Sequence, residues 1–484
     1  MENVLKNLKP ESVFRNFEAL TQIPRGSGNE QQISDFLVQF ARKNNLEVIQ
    51  DKILNVIINK NATPGYENGK RVILQGHMDM VMVKEEGLDF DFEKDPIPLV
   101  VEGDMIKTKG TTLGADNGIA VAMIMSILES NNLEHPPLTA LFTVSEETGM
   151  DGVVGLNPDH VAGNILINLD SEEEGVFWAS CAGGVNSIVT LPVKSKGVLE
   201  NSTFYEINIG GLLGGHSGSE INKNRANAIK LLGRLLQILD ETLEFDISSI
   251  QGGNKMNAIP QKAKVVISIQ EKDLSKLQKV ISEMQEIFRN EYSSADPNVF
   301  IELKSTNNNS KVFSTDTKGK LISILRLIPF GVQTMSNDME GLVESSNNIG
   351  VLETTDDAII FNNAIRSSVK SRKNEISKRI EVICNLTGAT MELQADYPEW
   401  QYKKDSPIRD LMLEVYKEMY EKEAKVEAIH AGLECGFLKE KIGDIDMISM
   451  GPTMFDVHTT NERLSISSTE RVYDFLCEVL KRIK

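Results

Sequence analysis

Apolar residues recur at helical spacing through residues 12–45, in two stretches parted by Pro24-Arg25-Gly26-Ser27-Gly28. The pattern predicts helix, loop, helix, with Ser27 and Glu30 spaced as a capping box for the second helix. Short aliphatic runs at 46–49, 55–59 and 72–75 read as strands. Residues 119–130 read as a long apolar helix ahead of further strands at 139–144 and 165–168. Strands alternating with buried helices predict an α/β sheet covered on both faces, with its ligand site at the carboxyl ends of the strands.

After the glycine-rich turn Cys181-Ala182-Gly183-Gly184 the texture changes. Residues 187–192 and 204–209 read as strands and 226–239 and 274–291 as amphipathic helices, the mark of a second, α+β unit. The stretch 305–315, rich in Asn, Ser and Thr, reads as a surface loop. From about residue 376 helices and short strands resume, with a strand at 447–450 and a closing helix at 469–483. The expected division is 1–184, 185–372 and 373–484.

The chain has 484 residues, enough for two or three units of roughly 100 to 200 residues each, and 40% of it is apolar, which excludes a disordered chain. A net charge of −19 and no long basic run leave no footprint for a phosphate backbone, so nucleic acid is not expected as a partner. The longest strongly apolar run, 119–128, is well short of the roughly 20 residues of a membrane span, and the amino end shows no secretory pattern. Neither membrane nor export is expected. Cys181, Cys384, Cys435 and Cys477 are scattered without paired spacing and read as buried small hydrophobes in a reducing cytoplasm.

The chemistry-bearing residues collect where strands end. His77 and Asp79 follow the strand at 72–75 and project to one side, as suits a metal ligand whose second ring nitrogen meets a carboxylate. Asp116 sits between the glycines of Gly114-Ala115-Asp116-Asn117-Gly118, which let backbone approach a ligand closely; a plain helix cap is the alternative. Glu146 and Glu147 stand side by side after another strand, where a cation relieves their repulsion and leaves one of them able to hold a raised pKa. Asp170 ends the strand at 165–168, and His458 lies far downstream, one of only six histidines.

Segment by segment the chain resembles the M20 family of dinuclear metallopeptidases. GHMDMV, GADNG, SEETGMDG, NLDSEEEG, GGHSG, NAIP, IHAGLECG and GPTMFDVH carry the likeness from residue 76 to residue 458. GTTLGADNG, DSEEEG and HAGLECG are similar to its aminoacyl-histidine dipeptidase branch. The resemblance implies a catalytic domain with a mixed sheet flanked by helices and an inserted α+β lid. It implies two Zn2+ per chain, with Co2+ or Mn2+ compatible with the same donors, held by His77, Asp116, Glu147, Asp170 and His458, with Asp116 as the bridge. By the same likeness Asp79 orients His77, Glu146 is the general base, and His216 donates to the oxyanion. Asn257, Arg366 and the backbone near Gly432 are expected to hold the substrate. His430 and Glu434 receive only a role in shaping the pocket, and His135 and His160 read as solvated or locally hydrogen-bonded.

The implied activity is hydrolysis of unblocked dipeptides, preferentially Xaa-His such as β-alanyl-histidine, by a cytoplasmic enzyme of a family that often forms homodimers through its lid, with the oligomeric state of this chain left open. A deacylase of N-acyl amino acids on the same metal core, or a metal-holding homologue without turnover, are the alternatives.

Overall fold

Val72–His77, Leu138–Thr143 and Ile165–Asn168 are buried along their whole length, as strands covered on both faces must be. They run parallel to one another and to Asp446–Ser449. Antiparallel Glu47–Gln50 and Val56–Lys60 extend the sheet on one side, and Val176–Cys181 with Lys425–Ile429 on the other, giving eight strands. This sheet is the heart of the first of two units in the computed structural model, which describes residues 4–198, 200–307 and 311–484. That unit comprises Met1–Ser180, Tyr402–Ala428 and Leu433–Lys484.

Helix Ala115–Glu129 packs on Val72–His77 and is buried nearly all round, which explains a sequence with no polar face. Glu11–Leu20 lies against it, and Pro407–Tyr420 packs on Asp446–Ser449 and on the closing helix Ile466–Arg482. The helix is bounded at Ala115, but Asp116 and Asn117 have non-helical backbone angles, so regular winding begins only after the motif, close to the expected start at residue 119. The expected capping box does not form. Ser27 Oγ donates to Asp79 instead, and the Glu30 carboxylate accepts from Gly28 N, Ser145 N and Ser145 Oγ.

The second unit comprises Cys181–Gln401 and Ile429–Gly432. Its strands run Phe300–Ser305, Ser202–Gly210, Ala263–Gln270, Phe245–Gly252, Val343–Thr354, Ala358–Ser367, Gly183–Pro192 and Thr390–Tyr397 across one antiparallel sheet, with Gly331–Met335 beside Val343–Thr354. Alternating burial along Gly183–Pro192 and Ala263–Gln270 gives one apolar face, on which Ala228–Thr242 and Lys370–Thr387 pack. The unit runs on past Arg372 because Gly183–Pro192 pairs with Ala358–Ser367 on one side and Thr390–Tyr397 on the other, which keeps the intervening helix with this sheet. The stretch 305–315 carries strand Lys311–Phe313, paired with Ser195–Gly197; residues 308–310 of the expected loop lie outside the described residues. Among the described residues no helix is long and apolar enough to cross a membrane.

Candidate metal centre

Parallel pairing sets His77 opposite Thr143, and Gln75 opposite Asn168, so the segments that follow these strands leave the sheet at one edge. Asp79 comes two residues after the first strand's aligned end, Glu146 and Glu147 open a short helix after the second, and Asp170 follows the third. His77 Nδ1 lies 3.3 Å from Asp79 Oδ1. The buried Asp79 carboxylate also accepts from Ser27 Oγ at 2.7 Å and from the backbone N–H groups of Glu146 and Glu147 at 3.1 and 3.3 Å. Burial alone would raise its pKa, but His77 and these donors hold it below the ordinary value.

Asp116 reaches two imidazoles at once. Its Oδ1 is 3.3 Å from His77 Nε2 and its Oδ2 3.0 Å from His458 Nε2. His77 Nε2 is also 3.4 Å from Asp170 Oδ1, and His458 Nε2 is 2.9 Å from Glu147 Oε1. Each ring nitrogen therefore faces two carboxylate oxygens while able to carry only one proton. A divalent cation in each position would satisfy the nitrogen and both oxygens together, so the donor set fits two ions better than it fits hydrogen bonds. None of Asp116, Glu146, Glu147 or Asp170 is ion-paired to Lys or Arg among the described residues.

The same crowding governs proton affinity. Burial opposes protonation of His77, yet Asp116 and Asp170 raise it well above an ordinary imidazole. Hydrogen bonds to Asp116 and Glu147 push His458 up to about 10. Glu146 is pushed up to about 9, first by burial, with His77 pulling it down and Asp170, Glu434 and Glu147 adding repulsion. Burial likewise raises Glu147 and Asp170.

Beneath these groups lies a buried polar row. Glu434 accepts from Gln75 Nε2 at 2.6 Å and Thr143 Oγ1 at 2.8 Å, Gln75 Oε1 accepts from Asn168 Nδ2, and Asn168 Oδ1 from Ser449 Oγ. Burial drives the Glu434 carboxyl up to about 7. Asn117 donates to Asp170.

The four residues expected to serve the oxyanion and the substrate, His216, Asn257, Arg366 and Gly432, fall in the second unit. His216 and Asn257 are neighbours through strand Gly215–His216, which pairs with Ala258–Ile259, and through Ser217 N donating to Asn257 O. His216 Nδ1 accepts from Gly218 N and Ser219 N, which leaves the proton of the neutral ring on Nε2. Burial and the Arg366 charge hold its pKa below the ordinary value. Arg366 donates to Tyr397 Oη at 2.9 Å and, with Asn257, Asn186 and Tyr397, lines a cavity of about 300 Å³. Gly432 packs on Tyr397, where a Cβ would come within 3.0 Å of the ring. His430 is held neutral, its pKa driven to about 3 by burial, Arg366 and His216, and its Nε2 lies 2.7 Å from Ser346 Oγ. His135 is buried rather than solvated, its Nδ1 2.8 Å from Pro136 O.

Three groups escape a reading of motifs: Arg25, Glu462 and Tyr397. Arg25 and Glu462 act on backbone of distant segments, which leaves no periodicity to find; Tyr397 ends a mostly exposed edge strand.

Imidazoles and carboxylates gathered beside the ends of parallel strands, with His77 buried and His458 half exposed, define the class, a hydrolase that works with divalent metal. The peptidase dimerisation domain of the M20 family matches residues 207–296. The cytosol non-specific dipeptidase of Escherichia coli is 36% identical over 99% of both chains. The crystal structure of the aminoacylhistidine dipeptidase from Vibrio alginolyticus superposes with a TM-score of 0.96 at 34% identity, covering 99% of this chain and 98% of that one. An aminopeptidase from Bacillus cereus, at 13% identity and a TM-score of 0.59 over 98% and 99% of the two chains, shares the fold. The chain belongs to the M20 metallopeptidases, in the branch of these dipeptidases, and is a hydrolase of peptide bonds.

Proposed function

We propose that the chain hydrolyses unblocked dipeptides at a pair of zinc ions, with preference for Xaa-His substrates such as β-alanyl-histidine. The observation that carries this reading is Asp116, which offers one carboxylate oxygen to each of two histidines drawn from residues 77 and 458. His77 and Asp170 complete one donor set with it, and His458 and Glu147 the other. Bound there, two ions would polarise the scissile carbonyl and make water acidic enough to attack it at neutral pH. Co2+ or Mn2+ suits the same donors.

The protein's own groups do the rest. Asp79 at His77 Nδ1 fixes the tautomer that keeps the Nε2 lone pair free for a ligand role. Glu146 is placed to take the proton of the attacking water and hand it to the leaving amine; cations held by its neighbours would offset the burial and repulsion that raise its pKa in their absence, leaving it an anion able to accept that proton. His216, neutral with Nε2–H free, is suited to donate to the tetrahedral oxyanion, and Arg366 with Asn257 and the backbone near Gly432 to bind the substrate's carboxylate end. The name of the Escherichia coli relative supports a cytoplasmic location, and the dimerisation-domain match supports a homodimer.

A substrate panel with metal content measured per chain tests this. Free Xaa-His dipeptides are expected to show the highest kcat/KM, with two ions bound. Equal rates for all free dipeptides would remove the histidine preference, and turnover confined to N-acetyl amino acids would overturn the dipeptidase reading.

A further inference from the structure

Arg25 and Glu462 are each 2% exposed, and both spend their charge on backbone. Arg25 Nη1 donates to the carbonyls of Met78 and Asp79 at 3.2 Å, and its Nη2 donates to Gly114 O. Glu462 works from the other side. Its Oε2 accepts from Leu113 N and Gly114 N at 2.7 and 3.0 Å, and its Oε1 from Ala115 N and Asp116 N at 2.8 and 3.3 Å. Four consecutive N–H groups aimed at one carboxylate is not helical geometry: Gly114 has φ 70° and Asp116 has ψ 108°.

Such a backbone cannot hold itself, because the N–H groups of Leu113, Gly114, Ala115 and Asp116 lack intrahelical acceptors, while the Gly114 carbonyl accepts from both Gly118 N and Arg25. The glycines of the motif make sense in this light. A Cβ on Gly114 or on Gly118 would stand 2.5 Å from Arg25 Nη2, so both are cut back to admit the guanidinium rather than a ligand. Glu462 also lies four residues after His458, in the turn closed by Glu462 N donating to Thr459 O. One carboxylate thereby ties the His458 turn to the Asp116 loop, while one guanidinium ties that loop to the backbone beside His77.

We propose that Arg25 and Glu462 are positioning residues, a clamp that fixes the His77–Asp79, Leu113–Asp116 and His458 segments so that both Asp116 oxygens meet their histidines. The inference rests on the metal-pair reading above. The clamp touches no substrate. Its effect is on where the donor atoms stand, and so on how tightly ions are held and how fast bound substrate reacts. It should leave substrate affinity nearly unchanged.

The test is zinc titration of the metal-free protein against a chromogenic chelator, together with kcat, KM and thermal unfolding, for wild type, Arg25→Met, Arg25→Lys, Glu462→Gln and Gly118→Ala. Wild-type stoichiometry checks the metal reading by itself: absence of tight zinc sites there would sink that reading, whereas the variants address the clamp. Arg25→Met and Glu462→Gln are expected to lose about 10- to 100-fold in zinc affinity and in kcat, with KM within about threefold of wild type. Arg25→Lys should recover part of the loss by keeping the charge. Gly118→Ala removes no charge and adds one methyl against the guanidinium, so it should lower zinc affinity in a chain that still melts cooperatively. Folded variants with wild-type affinity and kcat would overturn the proposal. So would failure of every variant to fold, Arg25→Lys and Gly118→Ala included, since the pair would then determine the fold and not the site.

Discussion

Glu146 has its backbone N–H on Asp79 Oδ1 and its carboxyl pushed up to about 9 by burial among other carboxylates. Replacing it with Gln keeps the shape and removes the proton acceptor. Glu146→Gln should lower kcat about 10²- to 10⁴-fold while metal content per chain stays unchanged, which steady-state kinetics and metal analysis read together. The histidines give a pH dependence of definite sign. His458 is raised to about 10 and His77 is raised as well, so at neutral pH both rings are protonated in the metal-free protein. An ion can take Nε2 only when that proton leaves. Zinc affinity should therefore rise with pH toward 10 and fall as pH drops, by up to about tenfold per unit for each proton displaced, with acid released on binding. A flat affinity between about pH 6 and pH 8 would contradict the protonated rings.

At the scale of elements, the strand ends do the placing. Val72–His77, Leu138–Thr143 and Ile165–Asn168 are largely apolar runs whose first charged successors, Asp79, Glu146 and Asp170, are candidate site residues, because a chain leaving a fully buried sheet can carry charge only at its edge. That much is legible in the hydrophobic pattern. The non-helical backbone at Gly114, Asp116 and Asn117, where helix Ala115–Glu129 opens, is not, since it is shaped by Arg25 and Glu462 rather than by local propensity. In the second unit Asn227 caps Ala228–Thr242 through Ile229 N and Lys230 N, and its amide also donates to Ile349 O. Asn227→Ala removes these three bonds and should destabilise the protein by about 1 to 2 kcal/mol, measured by urea unfolding with activity retained at low denaturant.

Over the whole molecule, the proposed donors at 77, 116, 147, 170 and 458 draw ends of one unit together across an inserted one. Ions held by such distant segments bind the folded chain and not the unfolded one. Chelation should then lower the melting temperature reversibly. Zinc at 100 times its dissociation constant should return about 2.7 kcal/mol per site, which a melting series against free zinc would follow. No change in melting on chelation would argue against a site built from segments so far apart.

The sequence by itself determined the alternation of strands and helices, the class of donors and their order along the chain, and, through its likeness to M20 enzymes, the family. These are local or sequential properties: a buried strand must be apolar, and a donor must be of a certain chemical type wherever it sits. Only the tertiary structure decided that Ser27 serves Asp79 rather than a helix start, that the second unit continues to Gln401, and that the glycines at 114 and 118 make room for Arg25. Arg25 meets its backbone acceptors 53 and 89 residues away. Contacts of a side chain with distant backbone impose no residue pattern on the segment contacted, so they are fixed by folding and are silent in the sequence.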